Sequence, residues 1–348
     1  CQDKLKSILG KRARGLTGEL RLGGKKFENQ SYANTGGLRM PLRPGLTRIL
    51  KKTNPDIILS DGFFQWTYAA LFANFFWQIP HIMCYERTLH TERNVSKLRT
   101  KGRKTAAKYI DAICCNGVQT KEYLLKLGFP GDRLFLGNMA ADFKGLQNSV
   151  KSILLDEIKK FKEIIRTEGK IFLYVGQIIP RKGVIELLKV WHQFTAEVFE
   201  EVTLILLGGG SKEKEAREYI SANALLNVRI TGQVDYSEVV KYYAAADIFI
   251  MPTLEDNWSL VVPEAMSCGL PVLCSKYNGC WPELVKPENG WVFDPLNEDN
   301  FIGVLKAAWD NRNAWNQMGQ ESLRIVQDYT PEKVAGNIYN ACLSVLAK

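Results

Sequence analysis

The chain has 348 residues, 46% of them hydrophobic and 24% charged, which suits a globular protein of two domains and excludes a disordered or fibrous chain. Its net charge of +9 is lopsided: residues 1–145 hold 25 Lys and Arg against 11 Asp and Glu, whereas the remainder is net acidic. Such asymmetry points to an anionic partner for the first half, and with no nucleic-acid module beside the charge it argues against nucleic acid. None of the eight cysteines forms a C-x-x-C pair and only three histidines are present, so spacing shows no metal site. Runs such as AICC (112–115) read as buried reduced thiols, hence a cytoplasmic setting. Cys1, with no leader pattern after it, reads as the start of a fragment or processed chain.

Taken in chain order, the first half predicts strands at 19–22, 56–60, 80–85, 111–115 and 133–136, with helices near 44–53, 66–77, 97–109 and 119–127. The longest uncharged stretch, 62–85, is interrupted by Gln65, Asn74, Gln78 and Pro80 and reads as a helix followed by a strand, not a membrane span. A charged connector, 146–168, contains an amphipathic helix around 151–166. Strands then fall at 170–175, 202–207, 227–231, 247–251, 271–274 and 291–293. Helical patterns near 298–310, 312–327 and 331–346 close the chain, the last expected to cross back to the first domain. The alternation predicts an α/β protein of two Rossmann-like, doubly wound domains facing a cleft, with boundaries at 1–145 and 169–330.

Two turns carry chemistry. In YVGQIIPRKGV (174–184) a strand leads into a short loop with Arg181 and Lys182, and Gly183 opens a helix; cations beside free helix amides suit a diphosphate. In MPTLEDNWSLVVPEAMSCGLPVLCS (251–275) a strand leads to a loop with Asp256, then a short helix beginning near Leu260, with Glu264 one turn in and Gly269 ending it. An ionised carboxylate accepts two hydroxyl bonds, so this acidic pair suits sugar and ribose hydroxyls. The triple glycine 208–210 reads as a tight strand-to-helix turn rather than a phosphate loop.

These pieces, with LLGGGS, ITGQV, YYAAADIFIMPT, NGCWPELV and ENGWVFDP in that order, resemble the retaining glycosyltransferases of GT-B architecture, the group 1 enzymes of bacterial cell-surface glycans. The resemblance implies a nucleotide-sugar donor, UDP- or GDP-linked, with no cofactor and no metal. It implies that Lys182 binds the diphosphate and Glu264 the ribose. Asp256, with Trp258 and Ser259 through their backbone, would hold the transferred sugar, Asn257 would belong to the donor site, and the amides of Leu260 and Val261 would cradle the phosphate. The sequence departs from the family where Gln177 stands for a usual Arg, with Arg181 as the substitute. It departs again where Asp256 stands for a usual Glu, and where the first strand with its glycine-rich turn is expected to be missing.

On the acceptor side, PHIMCYE (80–86) ends at Glu86, where the family places a His or an acid near the reacting carbon. Arg87 and His90 follow, and Asn138 in GNMAAD is expected to shape the cleft. The alternative for Glu86 is a surface ion pair with Arg87 or Arg93. Residues 93–108 carry seven basic residues and no acid, a pattern for an anionic membrane surface or a polyanionic acceptor. The expected reaction moves a hexose-type sugar onto a glycan or lipid-linked acceptor at the inner face of the membrane. The alternatives are a nucleotide-sugar epimerase of similar architecture and a non-catalytic sugar-nucleotide or membrane-binding module.

Overall fold

The structure is a computed structural model that describes residues 45–64, 66–141, 143–167, 169–196 and 201–347. The strand expected at 19–22 lies outside the described residues. The first unit runs α1 (Leu46–Thr53), β1 (Ile58–Asp61), α2 (Thr67–Trp77), β2 (His81–Tyr85), α3 (Lys97–Ala106), β3 (Ala112–Cys115), α4 (Val118–Leu127) and β4 (Leu134–Leu136). Its four strands are parallel and lie in chain order. HIMCY and AICC are near-continuous apolar runs because helices cover both faces of such a sheet. His81 is tolerated inside because Ser60 Oγ lies 2.7 Å from its Nε2, while burial lowers its pKa to about 4 and keeps it neutral.

The connector is two helices, α5 (Phe143–Ser152) and α6 (Leu155–Ile164), where the amphipathic pattern predicts one. The break falls at Leu154, whose backbone is extended and whose N–H donates to Glu157 Oε2 at 2.9 Å. A carboxylate reaching back to an amide three residues earlier starts a fresh helix, which hydrophobic periodicity does not register.

The second unit continues with β5 (Lys170–Val175), α7 (Val184–Phe194), β6 (Val202–Leu207), α8 (Glu213–Ala222), β7 (Val228–Gly232), α9 (Tyr236–Ala245) and β8 (Ile248–Met251). It ends with α10 (Val261–Ser267), β9 (Val272–Ser275), α11 (Trp281–Leu284), β10 (Gly290–Phe293), α12 (Glu298–Asp310), α13 (Trp315–Val326) and α14 (Pro331–Leu346). The sheet order is β10-β9-β8-β5-β6-β7, all parallel, so the order reverses between β5 and β8. Loops leaving the carboxyl ends of those two strands diverge to opposite faces and leave a crevice there. Phe172, Trp191 and Trp315 pack edge to face beneath it, with ring centroids 5.1 and 5.6 Å from Phe172. α14 returns to the first sheet, where Ala341 is buried against Ile82, Ala112 and Cys114. The seven described cysteines are free thiols.

Gly183, at the opening of α7, has a φ of +68° and a site where a Cβ would sit 2.0 Å from the Pro252 carbonyl oxygen. Gly183→Ala is expected to cost about 1–3 kcal/mol for the left-handed backbone alone, with the clash in addition. An unchanged melting temperature in thermal denaturation would contradict this close approach.

Candidate active site

The two turns meet at the crevice because one carbonyl joins them. Arg181 O accepts from the amides of Leu254 and Glu255 (2.8 and 3.2 Å) and from Thr253 Oγ1 (2.9 Å). This fixes the short 3₁₀ turn Pro180–Lys182 against the loop after β8 and brings Lys182 Nζ to 2.5 Å from Asp256 Oδ2. Ser259 Oγ donates to the same oxygen at 2.6 Å, and the Trp258 amide to Oδ1 at 3.3 Å. The loop is held from the other side by Asp256 N–H donating to Tyr277 O (3.2 Å) and Gly279 N–H to Asp256 O (3.0 Å).

Burial pushes the Asp256 carboxyl up, but the charge and hydrogen bond of Lys182, the Ser259 hydroxyl and the Arg181 charge outweigh it, leaving the group below its ordinary range. Asp256 is therefore ionised at neutral pH. Glu264 differs: burial raises its pKa, and the 3.3 Å bond from Tyr243 OH to Oε2 only partly offsets that. One carboxylate is paired with a cation and the other has a single neutral donor. Between them lie the amides of Leu260 and Val261, in the opening turn of α10, among those a helix leaves without an intrahelical acceptor.

Across the crevice stands the first domain. Glu86, just past β2, accepts from Asn257 Nδ2 at 3.2 Å, and its pKa is raised by burial and by the negative charges of Asp61 and Asp256, against the pull of Arg87 and Asn257. The ion-pair alternative for Glu86 is overturned: Arg87 lies 3.7 Å from Glu92, and Arg93 pairs with Glu255 at 2.7 Å. His90 donates through Nε2 to Leu254 O (2.8 Å) and stacks on Tyr277 with centroids 4.2 Å apart, so it ties the domains together with both faces of its chemistry engaged.

The remaining candidates fall as follows. Gln177 is exposed, and its carbonyl oxygen, not its side chain, is tied down, by Tyr174 OH at 2.7 Å. Arg181 is exposed at the crevice rim, with NH1 donating to Glu255 O at 3.3 Å. Asn138 has a left-handed backbone (φ 61°) and a buried, unpartnered Oδ1. Among the described residues, Asn116, Asn138, Asn257, Trp258, Asn278 and Glu283 each bury an unpartnered polar atom where the carboxyl ends of the two sheets face each other. A cleft lined with unused donors and acceptors suits a polyhydroxylated ligand. The basic segment 93–108 needs correcting at Arg103, which turns inward to Glu92 (2.5 Å) and Tyr123 OH (2.7 Å) and leaves the solvent face. Sequence reasoning also missed Tyr243, Tyr277 and Glu283, which act from the far sides of the two loops.

Two facing Rossmann-like sheets, with a charged crevice at the switch point of the second, define the GT-B architecture. The family model for Glycosyl transferases group 1 matches residues 156–324, and that for Glycosyltransferase Family 4 matches residues 22–136. These two consecutive matches, with the GT-B fold, support a group 1 glycosyltransferase. An uncharacterized glycosyltransferase of Haemophilus influenzae is 28% identical over 49% of this chain and 48% of its own length. A GDP-mannose-dependent monoacylated alpha-(1-6)-phosphatidylinositol monomannoside mannosyltransferase of Corynebacterium glutamicum is 30% identical over 37% of this chain and 35% of its own. The chain thus matches about half or less of the length of these relatives. Anabaena Alr3699/HepE, solved in complex with UDP, shares the fold with a TM-score of 0.73 at 17% identity, over 86% of this chain and 82% of that one.

Lys182→Met should raise the Asp256 pKa above the ordinary carboxylate value of 3.8, because burial then acts without its cation. Carboxyl-carbon NMR titration of the variant reads this directly, and an Asp256 that still titrates below the ordinary range would show that Lys182 is not what holds it ionised.

Proposed function

We propose that the protein is a retaining glycosyltransferase that moves a hexose-type sugar from a UDP- or GDP-linked donor to a sugar or lipid-linked acceptor in glycan biosynthesis. The observation that carries this reading is the meeting of Lys182, Asp256 and the opening turn of α10 at the switch point, with Glu86 facing them from the other domain. The donor dependence named for the Corynebacterium relative and the UDP bound to the Anabaena protein support a nucleotide-sugar donor.

In this reading the diphosphate lies between the Arg181–Lys182 turn and the amides of Leu260 and Val261. As the glycosidic bond breaks, the leaving phosphate gains negative charge, and fixed cations and amides aimed at it lower the barrier without a metal. Lys182 serves both neighbours: it keeps Asp256 ionised to accept the sugar's hydroxyls and gives its remaining donors to phosphate. Ser259 and Trp258 hold Asp256 in place. Glu264 accepts the ribose hydroxyls one turn into α10. Glu86, held by Asn257, lies beside the sugar, and the departing phosphate oxygen takes the acceptor's proton as it attacks from the same face.

The acceptor side fits an anionic surface. Lys97, Arg99, Lys101, Lys104 and Lys108 are exposed on and just after α3, and Leu98 among them is 82% exposed. Peripheral contact with the inner leaflet would place a lipid-linked acceptor at the cleft.

Glu264→Ala should weaken UDP binding at least about tenfold, the scale of a hydrogen bond to a charged group, while lowering the melting temperature of the free protein modestly, because the buried Tyr243 hydroxyl loses its partner. Because Glu264 acts as a carboxylate whose pKa burial raises, donor affinity should be full above that raised pKa and fall as pH drops through it. Calorimetric titration with UDP checks both, and undiminished binding by the variant removes the ribose assignment. Lys182→Ala should lower turnover of the donor by about 100-fold, as losing one charge-stabilising donor does elsewhere. Donor turnover measured with and without a glycan acceptor tests the reaction: consumption that never needs an acceptor contradicts transfer.

A further inference from the structure

We propose that Glu283 is a positioning residue: from the second domain it caps helix α4 of the first, and so latches the two domains closed over the crevice. The inference rests on the transfer reading for its consequence, but not for its geometry. α4 opens at Gly117, which has no side chain with which to cap it. The first amide of the helix, Val118 N–H, donates instead to Glu283 Oε1 at 2.5 Å, across 165 residues of sequence. An acceptor at that place satisfies one of the four amides a helix start leaves open. The fit has no slack: a Cβ at Gly117 would lie 2.4 Å from Glu283 Oε1 and 2.7 Å from the Trp258 ring. Trp258 belongs to the loop whose Asp256 and Asn257 meet Lys182 and Glu86. Docking the α4 start into this socket therefore sets how closely Glu86 approaches the sugar-binding loop.

The latch has a proton in it. Burial pushes the Glu283 carboxyl up to about 7, while the Val118 N–H, its own backbone N–H and the Lys286 charge pull it down and the Glu122 charge pushes it up. Tyr329 faces the same carboxyl and has its pKa raised by burial and by that charge. With the carboxyl at its ordinary 4.5 in an open form and near 7 in the closed one, closure takes up a proton. The contribution is then full below the ordinary value and is lost as pH rises through about 7. Two other groups at the interface also titrate. His90 works in the opposite sense, since burial there lowers its pKa, and Glu86 in the same sense. Both are common to the wild type and to Glu283 variants, so a difference between the two isolates Glu283.

Small-angle X-ray scattering of the full chain without substrate, from pH 6 to 8.5, reads the closed-to-open ratio. Glu283→Gln keeps an oxygen for Val118 N–H and has no proton to lose, so it should hold its closure as pH rises. The wild type should lose about tenfold in the same ratio relative to that variant. Glu283→Ala removes the cap. Gly117→Ala leaves the first domain unstrained, because Gly117 has an extended backbone that any residue adopts, yet collides with Glu283 and Trp258. Both should stay open at every pH, with thermal melts and UDP binding like the wild type. In turnover assays they should lower kcat while leaving the affinity for UDP in place. Wild type, Glu283→Gln and Gly117→Ala scattering alike at both pH values would overturn the latch. Because scattering needs no turnover, a protein that closes as described but transfers no sugar would sink the transfer reading alone.

Discussion

A partly buried lysine and a partly buried aspartate, 2.5 Å apart where the strand order reverses, are the constraint on which the rest of the site depends. The charge and hydrogen bond of Lys182 hold the Asp256 carboxyl below its ordinary range against the opposing effect of burial. Their meeting requires that two loops 74 residues apart be held in register, and the Arg181 carbonyl does this by accepting three bonds from the loop after β8. It also requires that α7 begin hard against that loop, which is why its first residue outside the helix is a glycine with a left-handed backbone. From this one juncture follow the ionised acceptor at Asp256, the cation beside it and the amides of α10.

The pairing also says what a bound diphosphate has to do. On the proposed reading it would meet a cation already partly neutralised, and its own charge would share Lys182 with Asp256 rather than find it free. The exposed Arg181 at the rim and the α10 amides then matter more than they would beside an unpaired lysine. The second domain supplies all of these groups. What the first domain brings is Glu86, and it brings it only when the carboxyl ends of the two sheets are close. His90 on Leu254 and Tyr277, Arg93 on Glu255 and Val118 on Glu283 are the contacts that hold them there. Three of these contacts are hydrogen bonds or an ion pair between a group of one domain and a group of the other, and the fourth is a ring stack.

Much of the fold was legible in the sequence because parallel strands buried on both faces leave unbroken apolar runs, as in KIFLYV, VTLILL and AICC. The placement of Lys182, Asp256 and Glu264 at carboxyl ends of strands was legible for the same reason: strand, turn and helix could be marked in order. What was not legible depends on side chains meeting across long separations. Arg103 looked like one more cation on a basic helix until Glu92 and Tyr123 drew it inward. The break at Leu154 depends on one carboxylate reaching back to an amide. Glu283 sits in a motif that resemblance singles out, yet its partner is the backbone of another domain, which no side-chain pattern reveals.

The central claim is that a pyrophosphate binds between the Arg181–Lys182 turn and the amides of Leu260 and Val261. A crystal structure of the protein with UDP tests it most directly. The account predicts phosphate oxygens within hydrogen-bond distance of Lys182 Nζ and of those two amides, with the ribose on Glu264. A nucleotide bound elsewhere, or a crevice that stays closed by packed side chains at saturating UDP, would contradict it.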